Sequence, residues 1–327
     1  MSGTARVGIV VIGRNEGERL VRCLKSLAHR DTPIVYVDSG STDGSPVRAA
    51  ALGAHVIALD LSTPFTAARA RNAGFSALLQ AQPQLDYVQF VDGDCEVHPG
   101  WIPAARAFLD AQPVYAVACG RRRERHPEAS IYNRLCDMEW DTPVGEAKAC
   151  GGDALMRVAA LRQVGGFRDR LIAGEEPELC VRLRAAGWKV YRLDAEMTLH
   201  DAAITKFSQW WRRNVRAGYA FAEGASLHGA RPERHWVKER RSALLWGLAL
   251  PAITALASTI AGPAGLLPVL AYPAQIVRLT FKGSGALVER ALRALFLVLG
   301  KFPEAVGELR FAAQQFIRAE RGLIEYK

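Results

Sequence analysis

The chain has 327 residues, 50% of them hydrophobic and 23% charged, with a formal net charge of +9. That length allows one large domain or two smaller ones, and the apolar content excludes a mainly disordered chain. Its glycines and prolines follow no fixed period, which excludes collagen-like and low-complexity classes. Six cysteines, at positions 23, 95, 119, 136, 150 and 180, include no C-x-x-C pair. A zinc ribbon or thioredoxin-type centre is therefore not expected, and free, buried thiols in a reducing cytoplasm are. No secretory signal is read at the start.

In chain order, VGIVVIG is an apolar run bounded by glycine, the pattern of a buried parallel strand. ERLVRCLKSLA places Leu20, Val21, Leu24 and Leu27 on a helical stripe. PIVYVDSG predicts a second strand ending in Asp38, SPVRAAALGA a helix and HVIALD a third strand. TAARARNAGFSALLQAQ predicts a helix, and DYVQFVDGD a fourth strand ending in carboxylates. The helix WIPAARAFLDAQ and the strand VYAVACG follow. GRRRERHPEAS reads as a solvated basic loop after that strand, or as a contact for phosphate. The β-α-β-α order predicts an α/β fold with a mostly parallel sheet and helices on both faces. In such a sheet ligands sit beyond the carboxyl ends of the strands.

The charge is unevenly placed. Residues 1–204 carry 24 Lys+Arg against 25 Asp+Glu, and the remainder 18 against 8. Such asymmetry suggests an anionic partner surface, nucleic acid or lipid. Within the basic part, Ser242 to Val277 contains no formal charge. Arg234, Lys238, Arg240 and Arg241 precede it, and Arg278 and Lys282 follow. Basic flanks on both sides keep both ends at a cytoplasmic face, as in a re-entrant hairpin or a surface-embedded segment. The alternative is a buried helical pair of a soluble domain. ALVERALRALFLVLG and FPEAVGELRFAAQQFIRAERG read as amphipathic helices. The predicted division is 1–204 as the α/β domain, 205–241 as basic and aromatic connecting helices, and 242–327 as a membrane-associated helical region.

Three segments carry candidate chemistry. Asp92 and Asp94, separated by Gly93, cap the fourth strand, where two carboxylates can hold a hard divalent cation and its phosphates. Glu96 adds a further oxygen, and a plain acidic turn is the alternative. Asp38 ends the second strand, while Ser41, Thr42 and Asp43 can cap the next helix. Arg71 and Asn72 can face the same cleft, with a guanidinium suited to a base or diphosphate.

Together these segments resemble the inverting glycosyltransferase family 2, with the GT-A fold. VGIVVIGRNEG resembles its opening, with Asn15 and Glu16 as its N-E pair. VDSGSTDGS resembles its second-strand signature, Arg71-Asn72-x-Gly74 its R-N-x-G helix, and Asp92-Gly93-Asp94 its D-x-D. GGDALMRVAALRQVGGF resembles its Gly-rich acceptor segment, and GEEPELCVRLRAAGW its E-D-x-D-L-x-x-R-L-x-x-x-G. The resemblance covers roughly residues 5–205. It implies that Asp38 and Arg71 meet the nucleotide, with Ile12, Arg14, Asn15 and Glu16 bordering that pocket. Asp92 would touch ribose or metal, and Asp94 and His200 would ligate a divalent cation, Mg2+ or Mn2+. Asp153 would meet sugar hydroxyls. Glu176 falls at the family's catalytic base, where this chain has Glu175-Glu176, and either carboxylate fits. QWWRRNVRAGYAF is similar to the Q-x-x-R-W element of processive synthases but in a different order. Trp211 would stack on a sugar or sit at a membrane interface.

The expected function is inverting transfer of a sugar from a nucleotide-diphospho-sugar to a hydroxyl, in surface polysaccharide or glycolipid assembly. The acceptor would be lipid-linked or a glycan, the location the cytoplasmic face of the inner membrane, and no nucleic-acid partner is expected. The alternatives are a sugar-phosphate nucleotidyltransferase and a non-enzymatic basic nucleic-acid- or membrane-binding protein.

Overall fold

The structure is a computed structural model, and it describes residues 6–28 and 32–317. The last residues of the FPEAVGELRFAAQQFIRAERG stretch lie outside those described. The chain divides into two compact units, the first ending at Thr205 and the second starting at Lys206.

The first unit is built on one sheet. Its strands are β1 (Val7–Gly13), β2 (Ile34–Asp38), β3 (His55–Ala58), β4 (Tyr87–Asp92), β5 (Cys95–Val97), β6 (Tyr115–Glu124), β7 (Gly145–Ala147), β8 (Ala154–Arg157) and β9 (Lys189–His200). Its helices are α1 (Glu18–Leu27), α2 (Ser45–Ala51), α3 (Ala67–Ala81), α4 (Trp101–Ala111), α5 (Ile131–Trp140), α6 (Val158–Val164) and α7 (Glu175–Ala185). The sheet order is β3-β2-β1-β4-β8-β6-β9-β5, with β7 also on β9.

The first four strands in that order are parallel, as the β-α-β pattern predicts. Beyond β4 the sheet is mixed: β8 runs antiparallel to both β4 and β6, and β5 and β7 run antiparallel to β9. The α/β class therefore holds, while the parallel character is confined to one half plus the β6–β9 pair. Burial explains the parallel half. Ile9, Val10 and Val11 are wholly buried, so β1 is covered on both faces, and each such side chain contributes roughly 1.5–3 kcal/mol. α1 buries Leu20, Cys23, Leu24 and Leu27 on one stripe. Thr66 caps α3 by accepting from the Arg69 N–H at 3.1 Å, and donates its own hydroxyl to Asp169 O at 2.6 Å.

One sequence reading needs correction. The arginine run 121–123 is not a loop: β6 continues through it to Glu124. Partner acids neutralise it, with Arg121 on Asp137, Arg122 on Asp153 and Arg123 on Glu196.

The second unit is helical: α8 (Phe207–His228), α9 (Val237–Leu244), one π-helical turn over Leu245–Ala249, α10 (Leu250–Ala261), a 3-10 segment over Gly262–Leu270, α11 (Ala271–Lys282), α12 (Leu287–Leu299) and α13 (Lys301–Ile317). At Gly262, with φ 60°, the chain turns back on α10. Gly265 then lies so close that a Cβ there would stand 2.2 Å from the Ala257 carbonyl. By length and composition, Val237–Lys282 is apolar enough to cross a membrane, with a mean hydropathy of 1.8 in its apolar window. Leu256, Ile260, Leu267 and Phe281 are exposed there.

Candidate active site

Strand register brings the predicted carboxylates to one rim of the sheet. β1 pairs Gly13 with Asp38 on one side and Ile12 with Asp92 on the other, so both acids end strands that flank β1. The loops above these strands are tied together. Asn15, at φ 56°, donates its N–H to Ser41 Oγ at 2.9 Å and accepts from the Thr42 N–H at 2.8 Å. Asparagine is among the residues that tolerate this left-handed backbone. Arg14 lies over the Phe65 ring at 4.7 Å, and Glu16 pairs with Arg19 at 2.7 Å. The buried Asp38 accepts from the Tyr36 hydroxyl at 2.9 Å and from the N–H groups of Gly40 and Ser41 at 3.0 and 2.8 Å. Burial, and then the Asp38 charge, push the Tyr36 phenol well up. It stays protonated and donates.

A chain of alternating charges crosses the centre of the rim. Arg71 reaches Glu175 at 2.5 Å and Asp92 at 2.8 Å. Arg122 reaches Asp92 at 3.4 Å and Asp153 at 2.6 Å. Burial opposes the Arg71 charge, but Asp92 and Glu175 outweigh it and hold the guanidinium above its ordinary range. The Phe167 ring lies 5.6 Å from Arg71 and the Trp140 ring 5.5 Å from Arg122. Gly152 makes this convergence possible: a Cβ there would stand 2.7 Å from Asp92 Oδ2 and 3.0 Å from Arg71.

Asp153 departs from its expected role. It is wholly buried, accepting from the Asp92 N–H at 3.0 Å and the Thr198 hydroxyl at 2.8 Å. With Arg122 added, it positions Asp92 rather than facing a sugar.

Asp94 and His200 form a second station. β5–β9 pairing sets Cys95 opposite His200, and His200 Nε2 lies 3.4 Å from Asp94 Oδ1. The ring packs edge-on against Trp140 at 4.7 Å. His200 Nδ1 is buried without a hydrogen bond and lies 4.0 Å from Glu124 Oε2. This arrangement fits a divalent cation. A carboxylate oxygen and an imidazole nitrogen, with Cys95 Sγ, lie within 4.8 Å of one another. Nδ1, facing an acid, is the nitrogen that would carry the proton and leave Nε2 free to ligate. Mg2+ and Mn2+ favour oxygen and nitrogen donors over a thiol, which leaves the Asp94–His200 pair as the donors here.

Glu175 and Glu176 open α7, where the helix N-terminus favours negative charge. Successive helical residues diverge by about 100°, and the two acids part accordingly. Glu175 meets Arg71, while Glu176 Oε1 accepts from the Cys150 N–H at 2.5 Å and from the Cys150 and Cys180 thiols at 3.0 and 3.1 Å. Burial raises the Glu176 carboxyl, and the Cys150 bonds pull it back. Trp211 belongs to the second unit, on α8 beside Phe207 at a ring distance of 5.8 Å. The sequence alone places Arg122 only in a basic run and singles out none of Glu124, Cys150 and Cys180 for the site. Arg122 meets Asp92 across 30 residues and Cys150 meets Glu176 across 26, so no local pattern marks them, while Cys180 lies one turn from Glu176 on α7.

Residues 8–162 match the family model for Glycosyl transferase family 2. Over 237 residues the chain is 27% identical to the pre-mycofactocin glycosyltransferase of Mycobacterium tuberculosis, covering 68% of this chain and 48% of that protein. The chain thus spans about half the length of that curated relative. Over 225 residues it is 22% identical to the glycosyltransferase AglE of Haloferax volcanii, covering 65% of this chain and 71% of that protein. Among solved structures it resembles the mannosyltransferase PcManGT from Pyrobaculum calidifontis in complex with GDP-Man and Mn2+. The TM-score is 0.65 at 18% identity, covering 94% of this chain and 88% of that one, a likeness of fold. The likeness to glycosyltransferase family 2 is thus carried by residues 8–162, within an α/β unit whose fold is of GT-A type.

Proposed function

We propose that the chain transfers a sugar, with inversion, from a nucleoside-diphospho-sugar to a hydroxyl acceptor. The observation that carries this reading is Arg71, whose guanidinium joins the carboxylate end of β4 to the first turn of α7. A diphosphate station and a base station thereby share one rim. Glu176 accepts the proton of the attacking hydroxyl, a role typically contributing ~10²–10⁴-fold. Asp92, fixed by Arg71, Arg122 and Asp153, orients the donor. Asp94 and His200 would hold Mg2+ or Mn2+, which would offset charge on the departing diphosphate. The family match favours transfer over the nucleotidyltransferase and non-enzymatic readings.

The test is nucleoside-diphosphate release from a panel of nucleotide sugars, with and without metal, by the full chain and by Asp94→Ala and Glu176→Gln. Both variants are expected to be folded and slower by ~10²-fold or more. Turnover near wild type in both sinks the reading.

The second unit supports a location at the cytoplasmic face of the inner membrane, and hence a lipid-linked or surface-glycan acceptor. Its support is the charge-free run, turned back at Gly262 with exposed apolar side chains and basic residues at both ends. The full chain is expected to sediment with anionic phospholipid vesicles, and a Leu256→Glu/Ile260→Glu variant to sediment less. Full-length protein remaining in the supernatant argues against it.

A further inference from the structure

A cluster of soft donors stands apart from the Asp94–His200 pair. Cys150 Sγ and Cys180 Sγ are 3.8 Å apart. Each faces the same oxygen, Glu176 Oε1, at 3.0 and 3.1 Å. All three side chains are buried. Cys180 stands one turn beyond Glu176 on α7, and Cys150 approaches from the segment between β7 and β8. No disulfide joins the two sulfurs.

We propose that Cys150, Cys180 and Glu176 form a binding site for a thiophilic divalent cation, zinc in the first instance, and that filling it inhibits the enzyme. Geometry supports the site. At zinc–sulfur bonds of ~2.3 Å, sulfurs 3.8 Å apart subtend about 111° at the metal, close to a tetrahedral angle. A bond of ~2.0 Å to Oε1 at its present 3.0 and 3.1 Å from the sulfurs makes angles of about 90° with each, and a shift of the carboxylate by about 0.5 Å opens them to tetrahedral. Water completes the fourth position. Thiolates select zinc or cobalt over Mg2+ and Mn2+, which favour oxygen donors. The two sites on this rim are therefore chemically distinct.

Binding is a ligand exchange without electron transfer. The two thiols lose their protons to solvent, two metal–sulfur bonds and one metal–oxygen bond form, and the thiol hydrogen bonds to Glu176 are lost. Because two protons leave, affinity rises with pH. The metal takes the Glu176 oxygen that would otherwise accept the proton of the attacking hydroxyl. This inhibitory consequence rests on the reading of Glu176 as the base, whereas binding itself does not.

The experiment titrates the metal-free full-length protein with Co2+, a spectroscopic stand-in for zinc. One equivalent is expected to give a sulfur-to-cobalt charge-transfer band in the near ultraviolet. The band should weaken or vanish in Cys150→Ser and in Cys180→Ser, persist in Cys95→Ser, and be lost when zinc is added. Zinc should lower the wild-type transfer rate by tenfold or more. In Cys180→Ser the ratio of rates with and without zinc should stay near one. X-ray absorption at the zinc edge of the wild-type protein provides a reading that needs no variant, and two sulfur neighbours are expected. No band, a band lost only in Cys95→Ser, or a zinc shell without sulfur overturns the site. A two-sulfur site with the transfer rate unchanged keeps the site and overturns the inhibition, while Glu176 as base stands or falls separately with the turnover of Glu176→Gln.

Discussion

Replacing Arg122 by methionine isolates the charge that the α/β unit depends on at its centre. The substitution keeps an unbranched apolar stem and removes the guanidinium. Arg122 lies 2.6 Å from Asp153, which is wholly buried, and 3.4 Å from Asp92. Burial opposes the arginine's charge, and Asp153 and Asp92 more than restore it. Without it, Asp153 keeps only the Thr198 hydroxyl and the Asp92 N–H, and two carboxylates face each other with one cation, Arg71, nearby. Stranding one member of a buried pair costs about 3–5 kcal/mol. In a unit of this size that lowers the melting temperature by roughly 6–20 °C. The assay is thermal and urea unfolding of wild type, Arg122→Met, Asp153→Asn and the double variant. In the double variant the amide oxygen introduced by Asp153→Asn can still accept the Asp92 N–H without carrying charge. The pair should therefore couple by about 1–3 kcal/mol, with the double variant more stable than the singles predict. A loss below about 1 kcal/mol in Arg122→Met, or strict additivity, would refute the reasoning.

The remaining predictions concern Glu176 and Gly152. Burial raises Glu176 above the ordinary carboxylate value of 4.5, and a base must be deprotonated to act. The transfer rate kcat/KM should therefore fall on the acid side through an inflection above 4.5, and a limb at or below 4.5 would contradict the burial argument. The same raised pKa means that the folded state holds this proton more tightly than the unfolded one. Its contribution to stability is full at low pH and is lost as pH rises through the folded pKa, and Glu176→Gln should flatten that part of the stability–pH curve. Gly152→Ala drives a Cβ into Asp92 and Arg71, at 2.7 and 3.0 Å. It should cost about 1–3 kcal/mol and lower turnover, and calorimetry showing an unchanged melting temperature would disprove the close contact.

Some of this could be read along the chain and some could not, and the division follows sequence separation. The β1 and β2 strands are continuous apolar runs and β4 is one broken only by Gln89, each ending at Gly or Asp, so both the elements and the rim on which Asp38 and Asp92 lie were legible locally. The antiparallel insertion of β8 was not, because four residues, Ala154–Arg157, are too short to show a period. The arginines of β6 read as a solvated loop because the acids that neutralise them are distant, Glu196 lying 73 residues from Arg123. Asp153 and Asp94 show the same limit from the other side. Each is an aspartate after glycine near a strand end, yet one is locked beneath Arg122 and the other faces His200.

The adjacent glutamates of α7 are where geometry adds most. Their order in the chain leaves the choice of base open. The helix turns Glu175 onto a guanidinium at 2.5 Å, so its oxygen is already committed to holding α7 against β4. Glu176 turns instead among two neutral thiols and one N–H, where burial favours taking up a proton. A base must gain a proton without breaking the scaffold that aims it. The Arg71 bridge gives Glu175 a scaffolding task, whereas protonating Glu176 relieves a buried charge, and this supports the proposal of Glu176 as the base.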